Sequence, residues 1–230
     1  MSLTSNIIVR QAYVRIGAFE GNAAQIATDY ASDAALADAN TESFPLQSMY
    51  DILVGVENEM ATAVAMNVNN TLRNVLGDIV TVTSGGLIPA ISDADLPIIG
   101  EWGQVRTAAG IELTPAMHED EIRAIVNGPS GLFKTNYYSY ALRPPRIYAT
   151  QTTLEIDVCV FDIDARQTAI NANEDLLFQQ MQNAYFSGLM ANLKNEDPAY
   201  TSLSNEYAPA YQAWLLAQNP HRDLVGQAAA

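Results

Sequence analysis

Cysteine is nearly absent from this sequence of 230 residues, which has a single thiol, Cys159. One cysteine excludes an internal disulfide framework and a zinc site built from cysteines. The surrounding letters, LEIDVCVFD, predict a buried thiol on a β-strand. The sequence has no run of about eighteen apolar residues, so we expect no membrane span. The opening MSLTSNIIVRQAYVRIG lacks a basic stretch followed by an apolar one, which predicts synthesis in a cytoplasm rather than secretion.

Basic residues are also scarce, since 11 Lys and Arg stand against 26 Asp and Glu, for a net charge of −15. No Lys or Arg occurs from residue 16 to residue 72. A surface with so few cations repels nucleic acid, because affinity for phosphates comes from Lys and Arg that displace counterions. Two interpretations stay open: an ordinary acidic face, or a surface past which DNA moves without sticking. The acids of this base-free run are Glu20, Asp29, Asp33, Asp38, Glu42, Asp51, Glu57 and Glu59.

Catalytic and metal-binding signatures are missing as well. His118 lies in MHEDE without the second histidine one helical turn away that zinc proteases require, and His221 stands alone near the end of the sequence. Asp162 and Asp164 in FDIDAR have the spacing of some magnesium ligands, but an aspartate at a strand-to-helix junction is usually the N-cap. We predict no catalytic residue, no metal and no cofactor. The enzymatic alternative is a carboxylate-based hydrolase, because acids are abundant.

Helical periodicity dominates both ends of the chain. We expect a first helix that ends near Gly17 and a second over residues 22–40. The strongest signal predicts one helix of about 45 Å from Pro45 to Leu76, closed by Gly77. The same period over residues 164–195 predicts a long closing helix that packs against it. The apolar face of the Pro45–Leu76 helix is expected to be Met49, Ile52, Leu53, Val56, Met60, Val64, Leu72 and Val75.

Alternating apolar and polar letters replace this period in between. We predict strands at DIVTVT, GQVRTAAGIEL, RIYATQ and TLEIDVCVFDID. We predict a short helix at TPAMHEDEIRAIVNGP, capped by Thr114 and with Pro115 at its first position. The fold class is therefore α+β, mainly α, a bundle of long helices with an inserted β-rich lobe. We assign 1–77 and 162–194 to the bundle, 78–161 to the lobe, and 195–230 to an extended C-terminal arm.

The stretch YYSYALRPPRIYAT, residues 137–150, concentrates tyrosines and arginines in an acidic chain. A Pro-Pro pair withholds backbone N–H groups from a sheet, so the stretch resists becoming a central strand. We predict a subunit interface in which the arginines pair with carboxylates on the acidic helix of a neighbour; the alternative is packing within the stretch's own lobe. The interface residues are Tyr137, Tyr138, Tyr140, Arg143, Arg146 and Tyr148.

This layout resembles the head-to-tail adaptors of tailed bacteriophages. The features shared are an N-terminal helical unit, a long acidic helix, a β-rich insertion with ALRPPRIYAT leading into LEIDVCVFD, a long closing helix and a C-terminal tail. The resemblance implies a dodecameric ring at the head–tail junction of the virion, without obligatory catalysis. Its implied partners are the portal protein and the tail nozzle or tail tube proteins, and the genome passes through the ring without sequence-specific binding.

The C-terminal arm has one aromatic patch, within NEYAPAYQAWLLAQN, a stretch that we expect to form a short helix ended by Pro220. In adaptors of the resembling family the C-terminal region docks on the portal, which implies a portal contact at Tyr207, Tyr211, Trp214, Leu215, His221 and Arg222. The competing interpretation is that Trp214 and Leu215 fold back onto the bundle. For the whole chain, the alternatives are another tail-completion or tail-terminator protein, the hydrolase, and an unrelated acidic binding module.

Overall fold

The chain folds into two compact units, Met1–Val64 with Asp162–Ala230, and Ala65–Phe161. The second unit is thus inserted into the sequence of the first. α-Helices occupy the first unit and the described strands lie in the second, so the predicted α+β, mainly α class is confirmed. The computed structural model describes residues 2–18, 36, 44–83, 98–100, 103–115, 137–142, 145–149 and 153–219, and it describes the backbone alone at 82, 83, 98, 114, 115, 137–142 and 145–149.

Five α-helices are described. They are α1 Ser5–Arg15, α2 Leu46–Ala65, α3 Ile163–Asn171, α4 Gln182–Glu196 and α5 Thr201–Gln218, with a short 3-10 helix, Pro198–Tyr200, before α5. Helix α1 ends as predicted, since Gly17 follows it at φ +76°, where glycine is favoured. The predicted second helix over residues 22–40 lies outside the described residues except for Leu36, which is fully buried.

Helix α2 buries the apolar face that its periodicity predicts, with Met49, Leu53, Met60 and Val64 completely inaccessible to solvent. It is shorter than predicted, because it ends at Ala65 rather than at Leu76. The letters MNVNN follow, and asparagine side chains compete with the helix for backbone hydrogen bonds. Asn70 accepts the Leu72 N–H at 2.9 Å and starts a separate 3-10 helix, Thr71–Val75.

The single closing helix predicted over 164–195 is wrong as well, because α3 ends at Asn171 and α4 begins at Gln182. Asn173 has a φ of +56°, a left-handed conformation that ends a helix. Its side-chain oxygen also accepts the Asn6 N–H at 3.0 Å, so a tertiary contact holds the break. Packing of α4 on α2 is confirmed at Gly188, where an added Cβ would stand 2.6 Å from Val56 Cγ1.

The short helix predicted within NEYAPAYQAWLLAQN is confirmed, but α5 begins earlier, at Thr201, so the prediction of an extended arm is wrong from Thr201 to Gln218. Helix α5 packs back onto α4 and buries Tyr211 and Leu215 almost completely. The Tyr211 hydroxyl donates to the Val56 carbonyl at 3.2 Å, which satisfies its polar end inside the core. The fold-back interpretation is therefore confirmed for Leu215.

Two small sheets are described in the inserted unit. In the first, β7 (Thr153–Val160) lies between β1 (Gly77–Thr83) on one side and β2 (Ile98–Ile99) with β3 (Val105–Thr107) on the other, all antiparallel. In the second, the order is β4 (Thr114–Pro115), β5 (Tyr137–Leu142) and β6 (Pro145–Ala149). Alternate residues of β7 enter the core, and Cys159 is a buried strand thiol as predicted.

Thr114 and Pro115 do not begin a helix. They form β4, which pairs in parallel with β5 through Thr114–Tyr137 and Pro115–Tyr138. Strand pairing has overridden a local helix-start pattern here, and the rest of that predicted helix, including His118, lies outside the described residues.

Candidate contact surfaces

The predicted interface stretch forms the hairpin β5–β6. Its register pairs Tyr140 with Ile147, Ala141 with Arg146, and Leu142 with Pro145. Pro145 stands at the first position of β6, where a missing N–H is tolerated. Tyr137, Tyr138 and Tyr148 also lie on these two strands, whereas Arg143 lies outside the described residues.

The predicted portal patch does not form one exposed surface, because Tyr211 and Leu215 belong to the core. Tyr207 and Trp214 are half-buried on α5, and His221 and Arg222 lie outside the described residues. The sequence pattern alone could not separate these aromatic residues, since both a core and a contact surface use them at helical spacing. Only Tyr207 and Trp214 of the described set remain accessible to a partner.

Tyr207 is the centre of a polar contact between α5 and α1. Arg15 Nε donates to the Tyr207 hydroxyl at 2.7 Å, and its Nη2 donates to both carboxylate oxygens of Glu206 at 2.8 and 2.9 Å. The hydrogen bond from Arg15 to Tyr207, followed by that to Glu206, raises the pKa of the guanidinium. Phe186 meets the Tyr207 ring edge-on at 5.4 Å. The cluster fixes α5 against α1 with a solvent-accessible charged rim.

Glu57 was predicted only as one acid of the base-free run, yet it is fully buried in α2. Its Oε2 accepts Arg166 Nε at 2.6 Å, and its Oε1 accepts the Tyr185 hydroxyl at 2.6 Å and the Leu177 N–H at 2.8 Å. Burial, and then the neighbouring carboxylate, raise the pKa of Tyr185 well above its ordinary value, so this phenol stays protonated. All of these donors belong to the fold, so the Glu57 carboxylate links α2 to α3, to α4 and to the segment before α4.

Asp162 is the N-cap of α3, accepting the N–H groups of Asp164 and Ala165 at 3.0 and 2.9 Å. The N-cap interpretation is therefore confirmed. Among the described residues, no three His, Cys, Asp or Glu side chains come together as metal ligands would. No helix in the described ranges is both long and apolar enough to cross a membrane.

An open cleft of ≈ 790 Å³ in the inserted unit was not predicted from the sequence. Three carboxylates are among its described lining residues, those of Asp78, Glu112 and Asp157, and they come from separate parts of the chain. Arg73 lines it too but is largely buried, and its guanidinium donates to the Ala65 carbonyl. The described lining therefore has three acidic side chains and one basic side chain. The carboxylates had no local sequence signal, because contacts between distant segments bring them together: β1 pairs with β7, and Glu112 forms a bridge with Arg106.

Compared with known proteins, the chain matches no protein-family model and no curated protein.

Proposed function

We propose that this protein is a structural adaptor that forms a homo-oligomeric ring between the portal and the tail of a tailed bacteriophage. The observation that carries the proposal is the division of the chain. A helical unit built from both ends of the sequence holds a β-rich unit inserted at residues 65–161. Such an insertion presents two separate sets of surfaces, which a subunit with neighbours in a ring and partners above and below it requires.

The use of buried polar groups supports an architectural role. Glu57 and Arg166 hold helices together, and Tyr13 and Tyr211 donate their hydroxyls to backbone carbonyls of Phe44 and Val56. Each group is satisfied by a structural partner, as a rigid building block requires. We expect no obligatory catalysis, no metal and no cofactor.

The charge of the chain supports passage of DNA. With 26 acids against 11 bases, a ring of these subunits makes few phosphate contacts, so a packaged genome moves through its channel without sequence-specific binding. We place the protein at the head–tail junction of the virion, after synthesis in the host cytoplasm.

We assign contact with the portal to those residues of the predicted portal patch that a partner can reach. Tyr207 and Trp214 on α5 remain available, and His221 and Arg222 follow in sequence. Tyr211 and Leu215 are removed from this contact because they are core residues.

The test is reconstitution with purified portal protein, followed by electron microscopy. We expect a ring of this protein on one face of the portal. Trp214→Ala combined with Arg222→Ala should weaken attachment, whereas Gln212→Ala, an exposed position on the same helix, should not. A wild-type chain that neither binds the portal nor occurs in virions would contradict the proposal.

A further inference from the structure

Among the described residues, two of the three carboxylates in the cleft have no basic partner. Arg106 lies 2.9 Å from a carboxylate oxygen of Asp157 and 3.2 Å from one of Glu155, so these acids are paired within the chain. Asp78 and Glu112 are exposed, and no described basic side chain pairs with either of them. The cleft thus offers two carboxylates to a cationic partner.

The same cleft has an apolar rim. Val68 and Ile79 line it, and they are 47% and 52% exposed. Ile79 lies on β1, which among the described strands pairs only with β7. The Ile79 N–H is satisfied at 2.7 Å by the carboxylate of Asp78, its neighbour in sequence, rather than by a strand. Exposed apolar side chains beside acceptors are typical of a protein-contact surface.

The chain itself supplies a matching basic element. Arg15, Arg106 and Arg166 are paired with carboxylates of their own chain. The hairpin β5–β6 has Arg146 opposite Ala141, and Arg143 follows the last residue of β5 in sequence. Pro144 and Pro145 lack N–H groups, so they give this end of the hairpin no backbone donors with which to extend a sheet. A cleft of ≈ 790 Å³ is large enough for several side chains.

We propose that the cleft binds the β5–β6 hairpin of a second copy of this chain, with Asp78 and Glu112 facing Arg143 and Arg146. The contact is head-to-tail, because cleft and hairpin are different surfaces, and repeated contacts of this kind close into a ring when the rotation between subunits allows. The inference rests on the proposed function in that it assumes self-association. Its acceptor is a different surface from the acidic helix predicted from the sequence, of which Glu57 is buried and already paired while Asp51 and Glu59 are exposed.

Reciprocal charge reversal tests the contact. Asp78→Lys with Glu112→Lys reverses the cleft, and Arg143→Glu with Arg146→Glu reverses the hairpin. We expect each double variant to self-associate at least about tenfold more weakly than wild type. The variant with all four changes should recover association, because every interface then regains opposite charges. Mass is measured by sedimentation at low salt, alone and on the portal, with unchanged circular dichroism as the control for folding.

Disulfide trapping separates contact between chains from contact within one chain. A Glu112→Cys chain is mixed with an Arg146→Cys chain and oxidised; Cys159 is buried and serves as an internal blank. We expect a covalent dimer of the two variants only from the mixture. The inference is overturned if the cross-link forms only within a chain that has both cysteines, or if either charge-reversed variant associates as strongly as wild type. It is also overturned if the fourfold variant does not recover association, or if the wild-type chain stays monomeric both alone and on the portal.

These outcomes are distinct from failure of the proposed function. Rings on the portal that persist in both charge-reversed variants reject the hairpin contact and keep the adaptor. Charge-dependent self-association in a protein that never binds the portal keeps the contact and rejects the adaptor.

Discussion

Glu57 Oε2 accepts a 2.6 Å hydrogen bond from Nε of Arg166, a residue 109 positions later in the sequence. The carboxylate is inaccessible to solvent, while the arginine side chain is 17% exposed. This pair ties the segment before the inserted unit to the segment after it. Closing so distant a contact costs chain entropy, which the packing of the first unit must offset.

Removing one partner of this pair should destabilise the protein strongly. We expect Glu57→Ala to cost about 3–5 kcal/mol in free energy of unfolding, because the Arg166 charge then loses its partner. Glu59→Ala, at an exposed acid on the same helix, should change it by less than about 0.5 kcal/mol. Urea denaturation measures both.

Replacing Glu57 and Arg166 together by leucine should lower the free energy of unfolding by less than the sum of the two single leucine changes. Strict additivity of the two changes would contradict a direct coupling.

A matched pair of glycines tests the packing of α4. Gly188→Ala places a Cβ 2.6 Å from Val56 Cγ1 and 2.8 Å from Tyr211 Cε2, so we expect about 1–3 kcal/mol of destabilisation from overpacking. Gly55→Ala on α2 meets nothing within 4 Å and should stabilise by up to about 1 kcal/mol through helix propensity. Thermal denaturation with the same protocol compares them. Equal effects of both changes would refute the close approach.

Truncation distinguishes the core part of α5 from the residues after it. Deleting residues 205–230 removes Tyr211 and Leu215 from the core, so we expect a chain that fails to fold cooperatively. Deleting residues 221–230 removes no residue that the structure describes and should leave the unfolding transition unchanged while weakening portal attachment. Circular dichroism and portal pull-down measure the two effects. A folded, stable product of the longer deletion would argue against the packing of α5.

Alkaline pH should destabilise the protein through its buried tyrosines. Burial is the first cause that raises the pKa of Tyr185 above its ordinary value of 10.0. The proton is then bound more tightly in the folded than in the unfolded chain, so this stabilisation is complete below pH 10 and is lost as pH rises above it. Urea midpoints measured from about pH 8 to about pH 11 should fall. The urea midpoint of Tyr185→Phe should fall less over the same interval. The midpoint of Tyr207→Phe, a change at a half-buried site, should fall as much as that of the wild type.

Duplex DNA should not bind the free protein at physiological salt. The chain has too few cations to release the counterions that drive such binding. Fluorescence anisotropy with a labelled duplex measures this, and lowering the salt should change little. Micromolar binding that weakens steeply with added salt would contradict the proposed channel wall.

The sequence by itself determined the elements whose signal is local. The 3.6-residue period of α2, the N-cap at Asp162 and the buried thiol of Cys159 were predicted because each depends on neighbouring residues along one element. The fold class followed from the change of period near Gly77 and again near Asp162. The limits of elements were less predictable, since the ends of α2 and α3 depend on asparagine contacts.

Only the tertiary structure decided which polar and aromatic residues are buried. In the sequence, Glu57 is not distinguishable from the other acids of the base-free run. In the structure, it accepts hydrogen bonds from Arg166, Tyr185 and the Leu177 N–H. Tyr211 entered the core because Gly188 leaves room for α5 to approach α4. Asp78 and Asp157 meet at one cleft through the pairing of β1 with β7, and Glu112 joins them through its bridge to Arg106 of β3. Burial and long-range pairing are properties of contacts between distant segments, so no window of sequence contains them.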